Sequence, residues 1–177
     1  MNQPTKVITG RCRASFLNVF QPKSINGSDP KYSVSLIIPK SDKKTIDKIN
    51  AAIDAAKELG KEKWNGKIPP VLKTPLRDGD EERPDDAVYK NSYFINATAK
   101  QQPGMVDQAL NPIMDSTELY SGCYIRASVN FYPFSVNGNK GIACGLNNVQ
   151  KLADGEPLGG RSRAEDDFDS VEDDMLG

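Results

Sequence analysis

Apolar and polar residues alternate in five separate segments of this chain, and this period of two limits the fold more strongly than the overall composition does. The segments are residues 5–20, 31–40, 93–100, 122–136 and 141–152. In the longest segment the apolar positions are Cys123, Ile125, Ala127, Val129 and Phe131. Alternation of this kind predicts strands that bury one face and leave the other in contact with water.

The first segment combines this alternation with a basic outer face. Its predicted core face contains Ile8, Cys12, Ala14 and Phe16. Its predicted outer face contains Thr9, Arg11, Arg13 and Ser15. We therefore expect one continuous half-buried strand that presents two arginines outward.

Helical periodicity occurs in only one stretch, residues 42–60, with Ser41 as the expected N-cap. The apolar face of this helix is predicted to contain Ile46, Ile49, Ile53 and Ala56. Residues 65–92 have no periodicity and contain four prolines, so we expect a long exposed loop there. Together these features predict a mainly β fold, a five-stranded, partly open Greek-key barrel of the OB type with one α-helix and long loops. A β-sandwich with an appended helix is the alternative.

Charge is unevenly distributed along the chain. Residues 1–164 contain all 23 Lys and Arg residues but 17 of the 24 acids, which gives them a net charge of +6. Residues 165–177 contain the other seven acids and no base. Because periodic signals end after residue 153, we expect one OB-type domain over 1–153 and a flexible linker with a disordered acidic tail over 154–177. A basic body with an acidic tail favours a polyanionic partner and self-regulation.

The types of residue present argue against catalysis. The absence of histidine removes the commonest general base and all histidine-based metal sites. Cys12, Cys123 and Cys144 are far apart in sequence, and we expect them to be small buried hydrophobic residues. We therefore expect a non-enzymatic protein without a cofactor or a resident metal. The alternative is a Mg-dependent nuclease or junction resolvase that uses the acidic loop from Asp78 to Asp86.

Outward-facing aromatic and basic side chains form the candidate binding site. The outer phase of residues 122–136 contains Tyr124, Arg126 and Tyr132. Aromatic rings stack on bases and cationic groups bind phosphates, and sequence-independent binding of single strands requires both. The other candidates are Arg11, Arg13, Lys73, Arg77, Phe94, Lys100 and Lys140.

Three sequence blocks carry a resemblance to a known family. They are PLRDGD at 75–80, YFINA at 93–97 and GNKGIACGLNNVQKLADGEPLG at 138–159. In these blocks and in its acidic tail the chain resembles a family of tailed-bacteriophage single-stranded DNA-binding proteins with an OB fold. The resemblance implies a non-catalytic role in phage DNA replication and recombination, in which the protein coats exposed single strands.

The tail is predicted to compete with DNA and to recruit partners. Its acids imitate a phosphate backbone, so they would occupy the basic surface when DNA is absent. Once displaced, they and the apolar residues among them would contact replication proteins. The residues expected to do this are Asp166, Asp167, Phe168, Asp169, Glu172, Asp173 and Asp174. Related tails often end in an aromatic residue, whereas this chain ends in Met-Leu-Gly.

Three functions remain open at this point. They are binding of single-stranded DNA, with duplex bound more weakly; metal-dependent cleavage of DNA; and a protein-only adaptor whose tail binds a replication enzyme. The chain has no apolar run of membrane-spanning length and no secretory signal at its N-terminus, so we expect a cytoplasmic protein without a membrane partner. If the protein is phage-encoded, this is the host cytoplasm. A homodimer is left open.

Overall fold

The computed structural model describes residues 4–24, 27, 29–136 and 138–158. The predicted linker is described only from residue 154 to residue 158. The predicted tail residues, from Asp166 to Asp174, lie outside the described residues. The domain boundary near residue 153 therefore stays a prediction.

Eight strands and two α-helices form in the described part of the chain. The strands are β1 (Lys6–Ile8), β2 (Cys12–Lys23), β3 (Lys31–Pro39), β4 (Leu76–Asp78), β5 (Ser92–Ala99), β6 (Gly104–Val106), β7 (Tyr124–Val136) and β8 (Asn139–Ala153). The helices are α1 (Lys43–Gly60) and α2 (Gly79–Glu82), and 3₁₀ turns occur at Lys61–Trp64 and Ala87–Tyr89. The five long strands coincide with the five alternating segments, which confirms the mainly β prediction.

The five long strands pair in a ring. β7 pairs with β2, β2 with β3 and β3 with β5, all antiparallel. β8 pairs antiparallel along β7 and meets β5 only through one parallel bridge, between Thr98 and Gly145. The result is an OB-like sheet ring with one narrow seam rather than a fully hydrogen-bonded barrel. The short strands β1, β4 and β6 pair with β7, β5 and β8 respectively.

Helix α1 packs against β7 and shares the core inside the ring. Its residues Ile49, Ile53 and Ala56 are buried, as the helical spacing predicts. The N-cap is Asp42, and the prediction of Ser41 is wrong. The helix begins at Lys43, so the carboxylate of Asp42 accepts a hydrogen bond from the Thr45 backbone N–H at 3.2 Å. None of the helices that the structure describes is long and apolar enough to cross a membrane.

The first alternating segment is not one strand. A break at residues 9–11 separates β1 from β2, and it shifts the phase so that Val7 is buried while Ile8 is 53% exposed. A second irregularity follows Ser15, where the register between β2 and β3 shifts. There Phe16 has a φ of 48° and is 58% exposed. The predicted burial of Ile8 and Phe16 is therefore wrong, whereas that of Cys12 and Ala14 is confirmed.

All three cysteines are buried free thiols, as predicted. Burial raises the pKa of the Cys12 thiol to about 12. It also raises the pKa values of Cys123 and Cys144 above the ordinary range. The three side chains are therefore protonated at neutral pH and behave as small apolar groups.

Candidate nucleic-acid interface

Two predicted arginines and one predicted tyrosine meet where β2 pairs with β7. Arg13 lies directly opposite Tyr124 in the antiparallel register. The Arg11 Cζ atom lies 4.2 Å from the centroid of the Tyr124 ring, and the Arg13 Cζ atom lies 5.8 Å from it. Arg13 is held in place because its Nη2 donates to the Glu156 carbonyl oxygen at 2.8 Å. This arrangement places two positive charges beside one half-buried aromatic ring.

A strap formed by residues 83–91 covers part of the outer surface of the sheet. The strap belongs to residues 65–92, which were expected to form a long exposed loop but contain β4, α2 and the Ala87–Tyr89 turn. Tyr89 is 1% exposed and packs edge-on against Phe94, with 5.1 Å between the ring centroids. Together with Ile37 they form a small apolar cluster separate from the main core.

Phe94 does lie on the outer side of the sheet, as its position in the alternation predicts. It is nevertheless only 2% exposed, because the strap folds back over it. The prediction that Phe94 offers an exposed stacking surface is therefore wrong for this structure. The burial of Phe94 depends on residues of the strap, which is a different segment of the chain. The alternation within β5 therefore cannot predict it.

Two adjoining clefts lie beside the strap, and Val88 lines both of them. We call them together the groove. One cleft has a volume of about 450 Å³ and is lined by Arg11, Arg13 and Tyr124 on one side. The other has a volume of about 320 Å³ and is lined by Phe16, Asp86 and Tyr89 among others. The groove thus has a cationic aromatic end and a second aromatic end.

Arg83 supplies a further cation at the Phe16 end. Its Cζ atom lies 5.2 Å from the Phe16 ring centroid, 4.8 Å from that of Tyr89 and 5.6 Å from that of Phe94. Within the described part of the chain, Arg83 forms no ion pair with an acid. Its guanidinium group thus lies against three aromatic rings next to the Phe16 cleft.

The predicted outer face of β7 does not form one site. Arg126 hydrogen-bonds the Gln150 side chain and lines a small cavity with Ile8 and Leu110. Tyr132 is 42% exposed and lies eight residues from Tyr124, a distance of roughly 26 Å along a strand. Of the three predicted residues on this strand, only Tyr124 belongs to the groove.

The remaining predicted cations lie in other places. Lys73 and Lys140 come together at the end of the β7–β8 hairpin, where the Lys73 backbone N–H donates to the Lys140 carbonyl at 3.1 Å. Arg77 on β4 is paired with Glu82 at 3.4 Å. Lys100 is exposed just after β5. None of these four residues lines the two clefts of the groove.

The acidic loop forms an ion-pair cluster. The Lys40 Nζ atom lies 2.9 Å from a carboxylate oxygen of Asp78 and 2.8 Å from one of Asp80. Its ammonium group donates hydrogen bonds that lower the pKa values of both carboxyls. Among the described residues, no group of three acids, cysteines or histidines is placed to hold a metal ion. Asp78 and Asp80 thus converge on a cation of the protein itself, which does not favour the nuclease alternative.

Comparison with known proteins shows the family. Residues 5–176 match the model of the family described as Enterobacter phage Enc34, ssDNA-binding protein. This chain belongs to that family. It is 32% identical to protein p50 of Acyrthosiphon pisum secondary endosymbiont phage 1, over 94% of both chains.

Solved structures of phage proteins share the fold. The single-stranded DNA-binding protein from bacteriophage Enc34, in complex with ssDNA, is 25% identical with a TM-score of 0.75. That match covers 88% of this chain and 90% of the Enc34 chain. The gp2.5 protein of bacteriophage T7, a single-stranded DNA binding protein, is 17% identical over 95% of both chains with a TM-score of 0.62. Family and fold therefore agree with the resemblance found in the sequence.

Sequence reasoning missed Phe16 and Val88, which line the groove, and Arg83, which lies against the Phe16 ring. Phe16 was predicted to lie in the core because its position continues the alternation. The register shift after Ser15 cannot be recognised from the alternation of apolar and polar residues. Arg83 and Val88 lie in a stretch without periodicity. Only the contact between Arg83 and Phe16, which are far apart in sequence, reveals that they share a site.

Proposed function

We propose that this protein binds single-stranded DNA along the groove, without catalysis and largely without regard to sequence. The observation that carries the proposal is the pairing of cations with aromatic rings at both ends of the groove, Arg11 and Arg13 with Tyr124 and Arg83 with Phe16. Membership of the family, and the ssDNA in the complex of the Enc34 protein, support it.

In the proposed binding of single-stranded DNA, aromatic rings contact the bases and arginines contact the phosphates. Stacking of a base on an aromatic side chain contributes about 1–3 kcal/mol and tolerates any base, because every base has a π-face. Arginines bind the phosphates, and this part of the affinity falls as salt rises. A strand that follows the groove meets both kinds of group. Coating of exposed strands during phage DNA replication and recombination, in the host cytoplasm, is the role we assign to this binding.

The acidic tail is proposed to compete for the same groove. Leu158, the last described residue, lines the Phe16 cleft, so the described part of the chain ends at the groove. Glu165, the first acid of the tail, follows seven residues later, and seven residues span at most about 25 Å. The tail acids are therefore within reach of Arg83, Arg11 and Arg13. Displaced by DNA, they would be free to bind replication proteins.

A salt titration tests the proposal. Binding of a labelled oligothymidylate and of a duplex is measured by fluorescence anisotropy for the wild type and for the Arg11→Gln/Arg13→Gln double variant. We expect the wild type to prefer the single strand. In the double variant the slope of log K against log salt should decrease by about 0.7 for each lost phosphate contact.

The matched control is Lys48→Gln/Lys63→Gln, which removes the same charge from exposed positions outside the groove. Equal losses in both double variants would show that net charge, and not the groove, carries the binding. If the wild type does not bind single strands even at low salt, DNA binding is refuted and the adaptor function is favoured.

A further inference from the structure

We infer that the Phe16 cleft takes one nucleobase of the bound strand and favours guanine, whose Watson–Crick edge matches Asp86 and Tyr89. This inference rests on the proposed function and refines it, because it adds a base preference at one position of an otherwise sequence-tolerant groove. Three observations at the cleft carry it.

The first observation is the position of Phe16. A φ of 48° lies in the left-handed region, which a bulky residue without a compensating role seldom adopts. This conformation turns the ring out of the core, so it forms a wall of the cleft while 58% of the residue stays exposed. A volume of about 320 Å³ beside an exposed ring is sufficient for one flipped-out base to stack.

The second observation is the Asp86 carboxylate at the Phe16 end of the groove. Asp86 lines the cleft, and its Oδ1 accepts one hydrogen bond, from the Val88 backbone N–H at 3.1 Å. A carboxylate offers about four acceptor sites, so most of its capacity remains unused by described residues. No Lys or Arg that the structure describes lies within ion-pair distance of it. Such a charge repels phosphates, and hydrogen-bond donors on a base would offset that repulsion.

The third observation is the Tyr89 hydroxyl. Tyr89 lines the same cleft, is 1% exposed, and its hydroxyl has no hydrogen-bond partner within the described part of the chain. A buried polar group without a partner is destabilising, and such a group calls for an explanation. A ligand in the cleft would provide one if its binding brings an acceptor to this enclosed hydroxyl.

Guanine is the base whose edge complements this pair. It presents two adjacent donors, N1–H and the 2-amino group, next to the O6 acceptor. A carboxylate can accept from both donors while a hydroxyl donates to O6. Thymine presents a single donor between two acceptors, and adenine and cytosine each present a single amino donor beside acceptors. Asp86 and Tyr89 therefore favour guanine over the other three bases.

The experiment compares three labelled strands by anisotropy. They are a short oligothymidylate, the same strand with one central guanine, and the same strand with hypoxanthine in place of that guanine. We expect the wild type to bind the guanine strand about five to ten times more tightly than oligothymidylate. Hypoxanthine lacks the 2-amino group, so it should lose most of this gain.

Asp86→Asn is the decisive variant. The asparagine carbonyl still accepts from the Val88 N–H, which preserves the turn, but the amide no longer offers two acceptor oxygens. We expect it to bind guanine and thymine strands equally. The matched control is Asp85→Asn, an exposed acid of the same strap that does not line the cleft, and it should keep the preference.

The results of these titrations distinguish a failure of the guanine preference from a failure of single-strand binding. Equal binding of the guanine and thymine strands by the wild type, or a preference that survives Asp86→Asn, would overturn the base pocket and leave single-strand binding standing. Failure of the wild type to bind any of the strands would refute the proposed function itself. A folding check by circular dichroism on each variant excludes misfolding as the cause of a lost preference.

Discussion

Phe16 shows how a single residue can serve binding at the expense of the fold. Its left-handed backbone costs about 1–2 kcal/mol for a residue with a Cβ atom, and its ring gains little from burial because it is 58% exposed. Glycine adopts the same φ without this strain. At position 16, glycine would therefore suit the backbone conformation better, whereas phenylalanine offers a ring on which a ligand can stack.

We predict that Phe16→Gly loses DNA affinity but not stability. Loss of one stacked base should weaken binding of single-stranded DNA by about 1–3 kcal/mol. The free energy of unfolding should be unchanged or higher by up to about 1 kcal/mol, because relief of strain outweighs the entropy cost of glycine. Urea denaturation and oligothymidylate titration measure the two effects. A variant that is clearly less stable would show that the Phe16 ring contributes to packing.

Tyr89 leads to a second prediction at the residue scale. Its hydroxyl is buried without a partner among the described residues, so Tyr89→Phe should raise the free energy of unfolding of the free protein by about 1 kcal/mol. The ring, which packs edge-on against Phe94, is retained. Denaturation without DNA provides the measurement. Destabilisation would instead indicate that water satisfies the hydroxyl.

At the scale of elements, the strap is held by a small set of contacts at its ends. The Lys40 backbone N–H donates to the Asn91 carbonyl at 2.9 Å, and the Asn91 N–H donates to Asp80 Oδ1 at 3.0 Å. The Lys40 side chain in turn binds Asp78 and Asp80. Strap position and the form of the groove therefore depend on this ion-pair cluster.

The cluster predicts a specific dependence on pH. The pKa values of Asp78 and Asp80 are lowered in the folded protein, chiefly by hydrogen bonds from Lys40. Their stabilising contribution is therefore fully present above the unfolded pKa of about 3.9 and is lost as pH falls through the lower folded values. In Lys40→Met both carboxyl pKa values should rise toward the ordinary range. Titration of the carboxyl ¹³C shifts measures this, and unchanged values in the variant would contradict the assignment to Lys40.

The burial of a side chain was predicted correctly from the sequence where the alternation along its own strand determines which face it lies on. The five predicted inward residues of the 122–136 segment are buried as the alternation requires, since tight packing inside the ring enforces the period. The prediction failed at Ile8 and Phe16, where a break and a register shift change the phase of β1 and β2. It also failed at Phe94, which is covered by a strap from another segment. Arg13 and Tyr124 lie on the outer face as predicted because both follow the outer phase of regular strands, whereas Arg11 lies in the break just before β2.

At the scale of the whole molecule, charge is divided between residues 1–164, which have a net charge of +6, and residues 165–177, which contain seven acids and no base. Under the proposed competition, the tail acids, of which the first follows Leu158 by seven residues, would have a high effective concentration at the groove because they are covalently tethered to it. Competition of this kind weakens DNA binding without any change in the groove itself.

Removal of residues 165–177 is expected to tighten binding of single-stranded DNA several-fold at low salt, and the difference should disappear at high salt because screening weakens the competing charges. Binding titrations at two salt concentrations measure this. A tail of the same length with every Asp and Glu replaced by Asn and Gln separates charge from chain length. If the neutral tail inhibits as strongly as the native one, charge competition is wrong.

The three buried thiols make the native protein a convenient object for chemical labelling. Cys12, Cys123 and Cys144 are enclosed by the core and protonated, so alkylating reagents should leave them untouched while the ring is intact. A cysteine introduced on the strap or in the tail could then carry a dye at one site without any removal of native residues. The native cysteines also report on opening of the core. Because a thiol reacts only when the structure around it opens, the rate of alkylation measures how often such openings occur.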